Sequence, residues 1–137
     1  MGNNQLRIFC DFDGTITQKD SGDEFFKSFS TDFLSIYDEF QNGKLTVSQY
    51  YDLVTSCLIF PIDSNSLKNF IAQCPIDPYF NHFLQYCTSV EIPLTVVSDG
   101  FDYYINEFLS TYGITIDLIC NTLHRVNDKW FIVFPFA

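Results

Sequence analysis

The chain is short of basic residues. Only 7 of its 137 residues are Lys or Arg, against 17 Asp or Glu, so the formal net charge is −10 at pH 7. Because nucleic-acid phosphates are bound by clustered Lys and Arg, this composition argues against a nucleic-acid partner. The sequence also lacks the run of about 18–20 apolar residues that a membrane helix needs, and its N-terminus does not have the pattern of a secretory signal.

Cysteine pairs with metal-binding spacing are missing as well. The five cysteines include no C-x-x-C pair, so a structural zinc site is not expected. An odd number of cysteines without a signal peptide predicts free thiols and a cytoplasmic location. What the chain has in abundance is apolar side chains, which make up 47% of the residues and include 16 Phe. This composition predicts one folded domain with a substantial core.

Hydrophobic periodicity predicts that strands and helices alternate along the chain. Buried strands are predicted at residues 5–10, 92–100 and 116–121. Apolar residues at helical spacing predict helices between them, and a hairpin is predicted at 123–134, turning at Asn127-Asp128. This order predicts an α/β fold in which a parallel sheet is flanked by helices.

The segment between the first two strands is too long to be a single crossover. Residues 17–74 contain four predicted helices and no predicted strand, and the capping box of Thr46 and Gln49 marks the start of the third helix. We therefore expect a helical cap at 17–74, inserted after the first strand. Residues 1–16 and 75–137 would then form the core.

Two of the predicted strands end in polar residues. The first runs into "DFDGT", which places Asp11 and Asp13 on the same side of an extended chain, and the second ends in "VVSDG", which contains Ser98. Ligands bind at the carboxyl ends of parallel strands, so these two ends are expected to meet in space. Two carboxylates this close raise the pKa of one of them or recruit a cation.

A carboxylate pair with Mg²⁺ suits phosphoryl transfer. One Asp attacks phosphorus and becomes an aspartyl phosphate, and the other transfers protons. Mg²⁺ neutralises charge and orients the phosphate. Ser98, with the amides around Asp99 and Gly100, would hold the phosphate oxygens.

The same residues also have structural interpretations, which remain open. An Asp-x-Asp at a strand end can be a solvated turn, and Ser98 or Asp99 can cap the helix that follows. Asp20 can be the N-cap of the helix in "DSGDEFF" as readily as a contact to a substrate.

Taken together, "DFDGT" and "VVSDG" resemble the first two signatures of the haloacid dehalogenase superfamily. Within it the chain resembles the phosphoserine phosphatase-like group. The stretches "VVSDGFDYYI" and "LICNTLHRVNDKWFIVFP" are most similar to the methionine-salvage phosphatases that act on 2-hydroxy-3-keto-5-methylthiopentenyl-1-phosphate. The resemblance implies a Rossmann-like core with a helical cap. It also implies a Mg²⁺-dependent phosphatase that hydrolyses a small phosphorylated metabolite through an aspartyl phosphate.

The resemblance also implies roles for individual residues. Asp11 would be the nucleophile and a Mg²⁺ ligand. Asp13 would be the general acid and base, with its backbone carbonyl on the metal. Ser98 and Gly100 would bind the phosphate, and Asp20 would be the acidic cap residue that contacts the substrate.

The sequence departs from the family pattern at two points. Asp99 stands where the family usually has Gly, which puts a further acid near the phosphate or against a cationic group of the substrate. The family's phosphate-binding Lys and its acidic metal-binding pair would follow residue 137, so the chain is expected to be truncated at its C-terminus and nearly inactive alone. Two alternatives are therefore kept: an incomplete fragment that acts as a binding module, and a phosphotransferase or phosphomutase. A homodimer or a complementing C-terminal segment would be the partner.

Overall fold

The structure, a computed structural model, describes residues 5–136 as a four-stranded sheet with helices. The strands are β1 (Ile8–Cys10), β2 (Leu94–Phe101), β3 (Asp117–Val126) and β4 (Lys129–Val133), and they lie in the order β1-β2-β3-β4. The helices are α1 (Ser21–Phe29), α2 (Phe33–Gln41), α3 (Val47–Ser56), α4 (Ser64–Gln73), α5 (Phe80–Ser89) and α6 (Asp102–Thr111). β1, β2 and β3 pair in parallel and β4 is antiparallel to β3, so the predicted α/β fold is confirmed.

The third strand is longer than predicted. Instead of ending at residue 121 before a separate hairpin, β3 runs without a break from Asp117 to Val126. No Gly or Pro separates the two predicted segments, so nothing in the sequence ends the strand there. The first half of β3 pairs with β2 and the second half with β4. The turn is where it was predicted, with Asn127 at a φ of 54°.

Local sequence signals account for where the helices of segment 17–74 begin. Thr46 and Gln49 form the predicted capping box, in which each backbone amide donates to the other side chain at 2.9 and 3.2 Å. Asp63 caps α4 by accepting from the Ser66 amide at 2.8 Å. None of the helices described within residues 5–136 has the length and apolar character needed to traverse a bilayer. The five cysteines are free thiols, as predicted.

The two ends of segment 17–74 lie beside each other. Thr17 and Ile76 form an isolated antiparallel bridge, and the Gln18 amide donates to the Pro75 carbonyl at 2.9 Å. The chain therefore leaves the sheet and returns to it at one place, which is what an inserted cap requires. That this segment works as a cap remains a proposal.

One face of the sheet is apolar and uncovered among the described residues. Phe9 on β1, Val97 on β2 and Ile119 on β3 share this face, and their exposed fractions are 64%, 40% and 37%. Val96 points to the opposite face and is fully buried. β1 is also an edge strand, with one side unpaired within residues 5–136.

Candidate active site

The polar ends of β1 and β2 meet, as the parallel pairing of these strands requires. The register pairs Cys10 with Val96, so the residues that follow each strand emerge at the same edge of the sheet. Ser98 Oγ donates a hydrogen bond of 2.7 Å to Asp13 Oδ2, although 85 positions separate the two residues. The chain thus brings the two sequence motifs into direct contact.

Asp13 is the centre of a hydroxyl network. Besides Ser98, the Tyr104 hydroxyl donates to Asp13 Oδ1 at 2.9 Å, and Ser21 Oγ donates to the same oxygen. Burial raises the pKa of the Asp13 carboxyl, while the three hydroxyl donors oppose this rise and the charge of Asp20 adds to it. Desolvation dominates, so the neutral form of Asp13 is favoured more than in an exposed Asp.

Asp11 has very different surroundings. Its side chain is exposed, and its contacts come from its own loop: Oδ1 accepts from the Phe12 amide at 2.9 Å and Oδ2 accepts from Thr15 Oγ1 at 3.3 Å. Gly14 turns this loop with a φ of 76°. The two carboxylates of "DFDGT" are therefore unequal, one open to solvent and the other enclosed.

Gly100 has to be glycine because the backbone passes very close to this network. A Cβ atom there would lie 2.6 Å from Asp13 Oδ2 and 3.0 Å from Ser98 Oγ, and it would collide with the Tyr104 hydroxyl. The Gly100 amide donates to Ser98 Oγ at 2.9 Å, which orients the serine hydroxyl towards Asp13. Ser98 and Asp99 do not cap the following helix, since the N-cap of α6 is Phe101 and has no side-chain cap.

Asp20 and Asp99 face the same cavity as Asp13. Asp20 is the N-cap of α1, where its Oδ1 accepts a hydrogen bond of 3.0 Å from the Asp23 amide. The structural interpretation of Asp20 as a helix cap is therefore correct. Burial raises the pKa of Asp99, and the charges of Asp11 and Asp20 raise it further. The backbone carbonyl of Asp99 accepts from Asn121 Nδ2 at 2.8 Å, which anchors the loop to β3.

The cavity has a volume of about 250 Å³ and lies between α1, α2, α3 and the end of β2. Asp23, on the first turn of α1, is its fourth carboxylate, beside Asp13, Asp20 and Asp99. The rest of the wall is largely aromatic. Its rings include Phe26, Tyr37, Phe40, Tyr50, Tyr51 and Phe101.

Sequence reasoning missed several residues of this site. Tyr104 and Ser21 were not expected to touch Asp13, although the position of Tyr104 four residues after Gly100, on the first turn of a helix that begins at the strand end, is a usable signal. Tyr50 and Tyr51 lie on α3, far along the chain from both motifs. Helical periodicity alone assigns such residues to the core, and it has no means of placing them at a cavity.

Asp23 supplies a prediction about stability. Burial raises its pKa to about 6, and the neighbouring carboxylates Asp20, Asp13, Glu24 and Asp99 add to the rise. Because the folded-state pKa lies above the unfolded value, the contribution of Asp23 to stability is largest below the unfolded pKa and is lost as the pH rises through about 6. The N-terminus of α1 favours a negative charge, but burial and repulsion outweigh it.

We therefore expect Asp23→Asn to raise the free energy of unfolding at about pH 7.5 and to flatten its decline between about pH 4 and pH 7.5. Urea unfolding of the metal-free chain across this range measures both effects. Asp38→Asn removes the same charge from an exposed carboxylate on α2 and is the control. A parent-like pH dependence in Asp23→Asn would contradict the prediction.

The oxygen donors around Asp11 and Asp13 suit a hard divalent cation. The Asp11 carboxylate is exposed and has no cationic partner among the described residues. Within residues 5–136 no three His, Cys, Asp or Glu side chains converge on a single metal position. The described residues therefore fit part of a Mg²⁺ coordination sphere.

This chain belongs to a known class of hydrolase. Residues 8–135 match the haloacid dehalogenase-like hydrolase family, and the chain belongs to that family. The resemblance inferred from "DFDGT" and "VVSDG" is thereby confirmed.

The individual relatives share only about a quarter of their aligned residues with this chain. A 2-hydroxy-3-keto-5-methylthiopentenyl-1-phosphate phosphatase of Brevibacillus brevis is 24% identical over 97% of this chain and 61% of its own length. Pdp3-interacting factor 1 of Schizosaccharomyces pombe is 25% identical over 95% of this chain and 60% of its own length. The chain thus spans about three-fifths of the length of these curated relatives.

Solved structures show the same fold. A HAD family hydrolase of Salmonella enterica serovar Typhi, t0658, superposes with a TM-score of 0.74 at 17% identity, covering 98% of this chain and 48% of the other. A substrate-bound phosphoserine phosphatase superposes with a TM-score of 0.66 at 21% identity, covering 93% and 61%.

Proposed function

We propose that the protein carrying this chain is a Mg²⁺-dependent phosphomonoesterase that hydrolyses a small phosphorylated metabolite through an aspartyl phosphate on Asp11. The observation that carries the proposal is that the carboxylates of Asp11 and Asp13 have different surroundings. Asp11 is exposed and held only by its own loop, as a nucleophile must be, whereas Asp13 is enclosed by hydroxyl groups. Family membership and phosphatase relatives support the same reaction class.

The reaction proceeds in two displacements. An Asp11 carboxylate oxygen attacks phosphorus, the ester P–O bond breaks, and protonated Asp13 gives its proton to the leaving alkoxide. Asp13 then removes a proton from water, which attacks the phosphoaspartate, releases inorganic phosphate and restores Asp11. Mg²⁺, held by the Asp11 carboxylate and the Asp13 carbonyl, would neutralise phosphate charge when bound.

Ser98 and Gly100 have two tasks in this proposal. The Ser98 hydroxyl, which accepts from the Gly100 amide, holds Asp13 in place at 2.7 Å. When phosphate is bound, the single proton of this hydroxyl turns from Asp13 to a phosphate oxygen, and the neighbouring amides donate to the other oxygens. Segment 17–74 closes over the site as a cap, and Asp20, at the start of that segment, contacts the substrate together with Asp99.

A second candidate, a catalytically incomplete binding module, is favoured by one observation. Among the described residues that line the cavity there is no Lys, Arg or His to stabilise a transferring phosphoryl group. The apolar face of Phe9, Val97 and Ile119 is the surface on which a second copy or a complementing segment would pack.

Asp13→Asn tests the mechanism. An amide cannot donate or accept the proton, so we expect kcat to fall by roughly 10²–10⁴ in the full protein that carries this sequence. The loss in kcat/KM, which does not include the hydrolysis of the phosphoaspartate common to all esters, should be smaller for p-nitrophenyl phosphate, whose phenolate leaves without protonation, than for an alkyl phosphate. Asp77→Asn makes the same chemical change at a half-buried carboxylate that hydrogen-bonds the Tyr79 amide away from this cavity. Equal losses for both esters would refute the acid role.

A further inference from the structure

The cavity beside Asp13 carries far more negative charge than phosphate transfer needs. Asp13, Asp20, Asp23 and Asp99 all line it, with no cationic side chain among the lining residues in the described chain. The ion pair found in residues 5–136 joins Arg125 and Asp128, and neither residue lines this cavity. A phosphate monoester is itself an anion, so three of these acids face a ligand they should repel.

A metal ion does not account for the three extra acids. No three acidic side chains within the described range converge on a single point, so Asp20, Asp23 and Asp99 are spread around the wall. Asp20 also has one oxygen occupied by the Asp23 amide. Dispersed carboxylates suit a larger, diffuse cation better than a small divalent one.

Aromatic rings line the same cavity as these acids. Phe40 and Tyr50 stack with ring centroids 4.6 Å apart, Tyr50 and Tyr51 lie 5.3 Å apart, and Tyr51 meets Phe101 edge to face at 5.7 Å. Ring faces attract ammonium groups, and the attraction grows when the site is shielded from water. Carboxylates and rings on one small cavity are the combination that binds alkylammonium ions.

Tyr50 supplies an independent observation. Tyr50 lines the cavity and is only 5% exposed. Its hydroxyl has no hydrogen-bond partner among the described residues. A buried hydroxyl without a partner costs about 1–3 kcal/mol. An N–H donor from a ligand in the cavity would supply the missing hydrogen bond.

We propose that this cavity selects a phosphate monoester that carries an ammonium group and no carboxylate. The phosphate lies at Asp11, Ser98 and Gly100, and the ammonium group lies between the extra carboxylates and the Tyr50 ring. This inference rests on the proposed function. It also separates the chain from its relatives, because the ester named for the Brevibacillus brevis enzyme contains no amino group.

The test compares three esters of similar size. O-phosphoethanolamine carries the ammonium group, n-propyl phosphate replaces it with a methyl group, and O-phosphoserine adds a carboxylate. Binding is measured by calorimetry with Asp11→Asn, which holds the ester without turning it over. We expect O-phosphoethanolamine to bind at least about tenfold more tightly than either of the others. Equal affinity for the first two esters, or tight binding of O-phosphoserine, would overturn the inference.

Second-site variants locate the ammonium group. Asp23→Asn and Asp99→Asn, each added to Asp11→Asn, should shrink the preference for O-phosphoethanolamine over n-propyl phosphate severalfold, and Tyr50→Phe should do so to a smaller extent. Glu24→Gln is the matched control, because Glu24 sits beside Asp23 on α1 but does not line the cavity. An unchanged preference in all three test variants would overturn the placement.

The proposed function is checked separately. Turnover of p-nitrophenyl phosphate by the parent protein reports phosphatase activity without any ammonium group. If the protein hydrolyses neither this ester nor O-phosphoethanolamine yet binds O-phosphoethanolamine selectively, the phosphatase proposal fails and the cavity's selectivity stands. If it hydrolyses the ester and shows no selectivity, only the selectivity fails.

Discussion

Replacing Asp11 with Asn should abolish phosphoryl transfer. An amide is not a useful nucleophile towards phosphorus, and the change also removes the exposed carboxylate that would bind Mg²⁺. Loss of a catalytic nucleophile costs on the order of 10⁶ in kcat, so hydrolysis by the full protein should fall to the assay background. Trapping with a labelled phosphate ester and acid quenching should give a phosphorylated parent protein and an unlabelled variant.

The surroundings of Asp11 make this experiment clean. Its side chain is exposed and makes hydrogen bonds only within its own loop, so Asn should fit without disturbing the core. Asp38→Asn, at an exposed carboxylate on α2, is the control and should keep parental activity. Label on a residue other than Asp11, or turnover retained by the variant, would show that another group attacks phosphorus.

Much of the fold could be predicted because its signals are local. Apolar runs that end in Asp or Gly located β1 and β2, and the capping box at Thr46 and Gln49 located α3. The end of β3 was predicted wrongly for a local reason too. Residues 116–121 and 123–126 were predicted as separate elements, but no Gly or Pro lies between them and the strand continues through Asn121.

Only the site residues that belong to "DFDGT" and "VVSDG" could be predicted from the sequence. Asp13 follows β1 and Ser98 lies near the carboxyl end of the paired parallel strand β2, so topology alone brings them together. Tyr50 and Asp23 reach the cavity through the packing of the 17–74 segment, which depends on how its helices cross rather than on any spacing in the sequence. The ring centroid of Phe25, for example, lies 5.1 Å from that of Tyr104 and 5.8 Å from that of Phe70. The spacing of apolar residues along the sequence does not predict these contacts.

Arg125 and Lys129 do not line the cavity beside Asp13. Arg125 lies over the Phe60 ring and 3.5 Å from Asp128, and Lys129 lines a different cavity, between α3 and the hairpin. The acidic residue Asp102 does not line the cavity beside Asp13 either: its Oδ1 accepts a hydrogen bond of 3.0 Å from the Leu123 amide and so joins α6 to β3. A transferring phosphoryl group spreads charge over its equatorial oxygens, and a cationic side chain there contributes roughly 10³–10⁵ to the rate.

The 137-residue chain alone should therefore be a poor phosphatase, even with Mg²⁺. We expect hydrolysis of p-nitrophenyl phosphate to be roughly 10³–10⁵-fold below an ordinary enzyme rate of about 1–10³ s⁻¹. The exposed face of Phe9, Val97 and Ile119 should also drive self-association, which size-exclusion chromatography with light scattering detects. Phe9→Lys separates the two effects, because it should favour the monomer without restoring hydrolysis. A monomeric parent chain that turns over at an ordinary rate would show that the hydroxyls and amides around Asp13 stabilise the phosphoryl group without a cationic side chain.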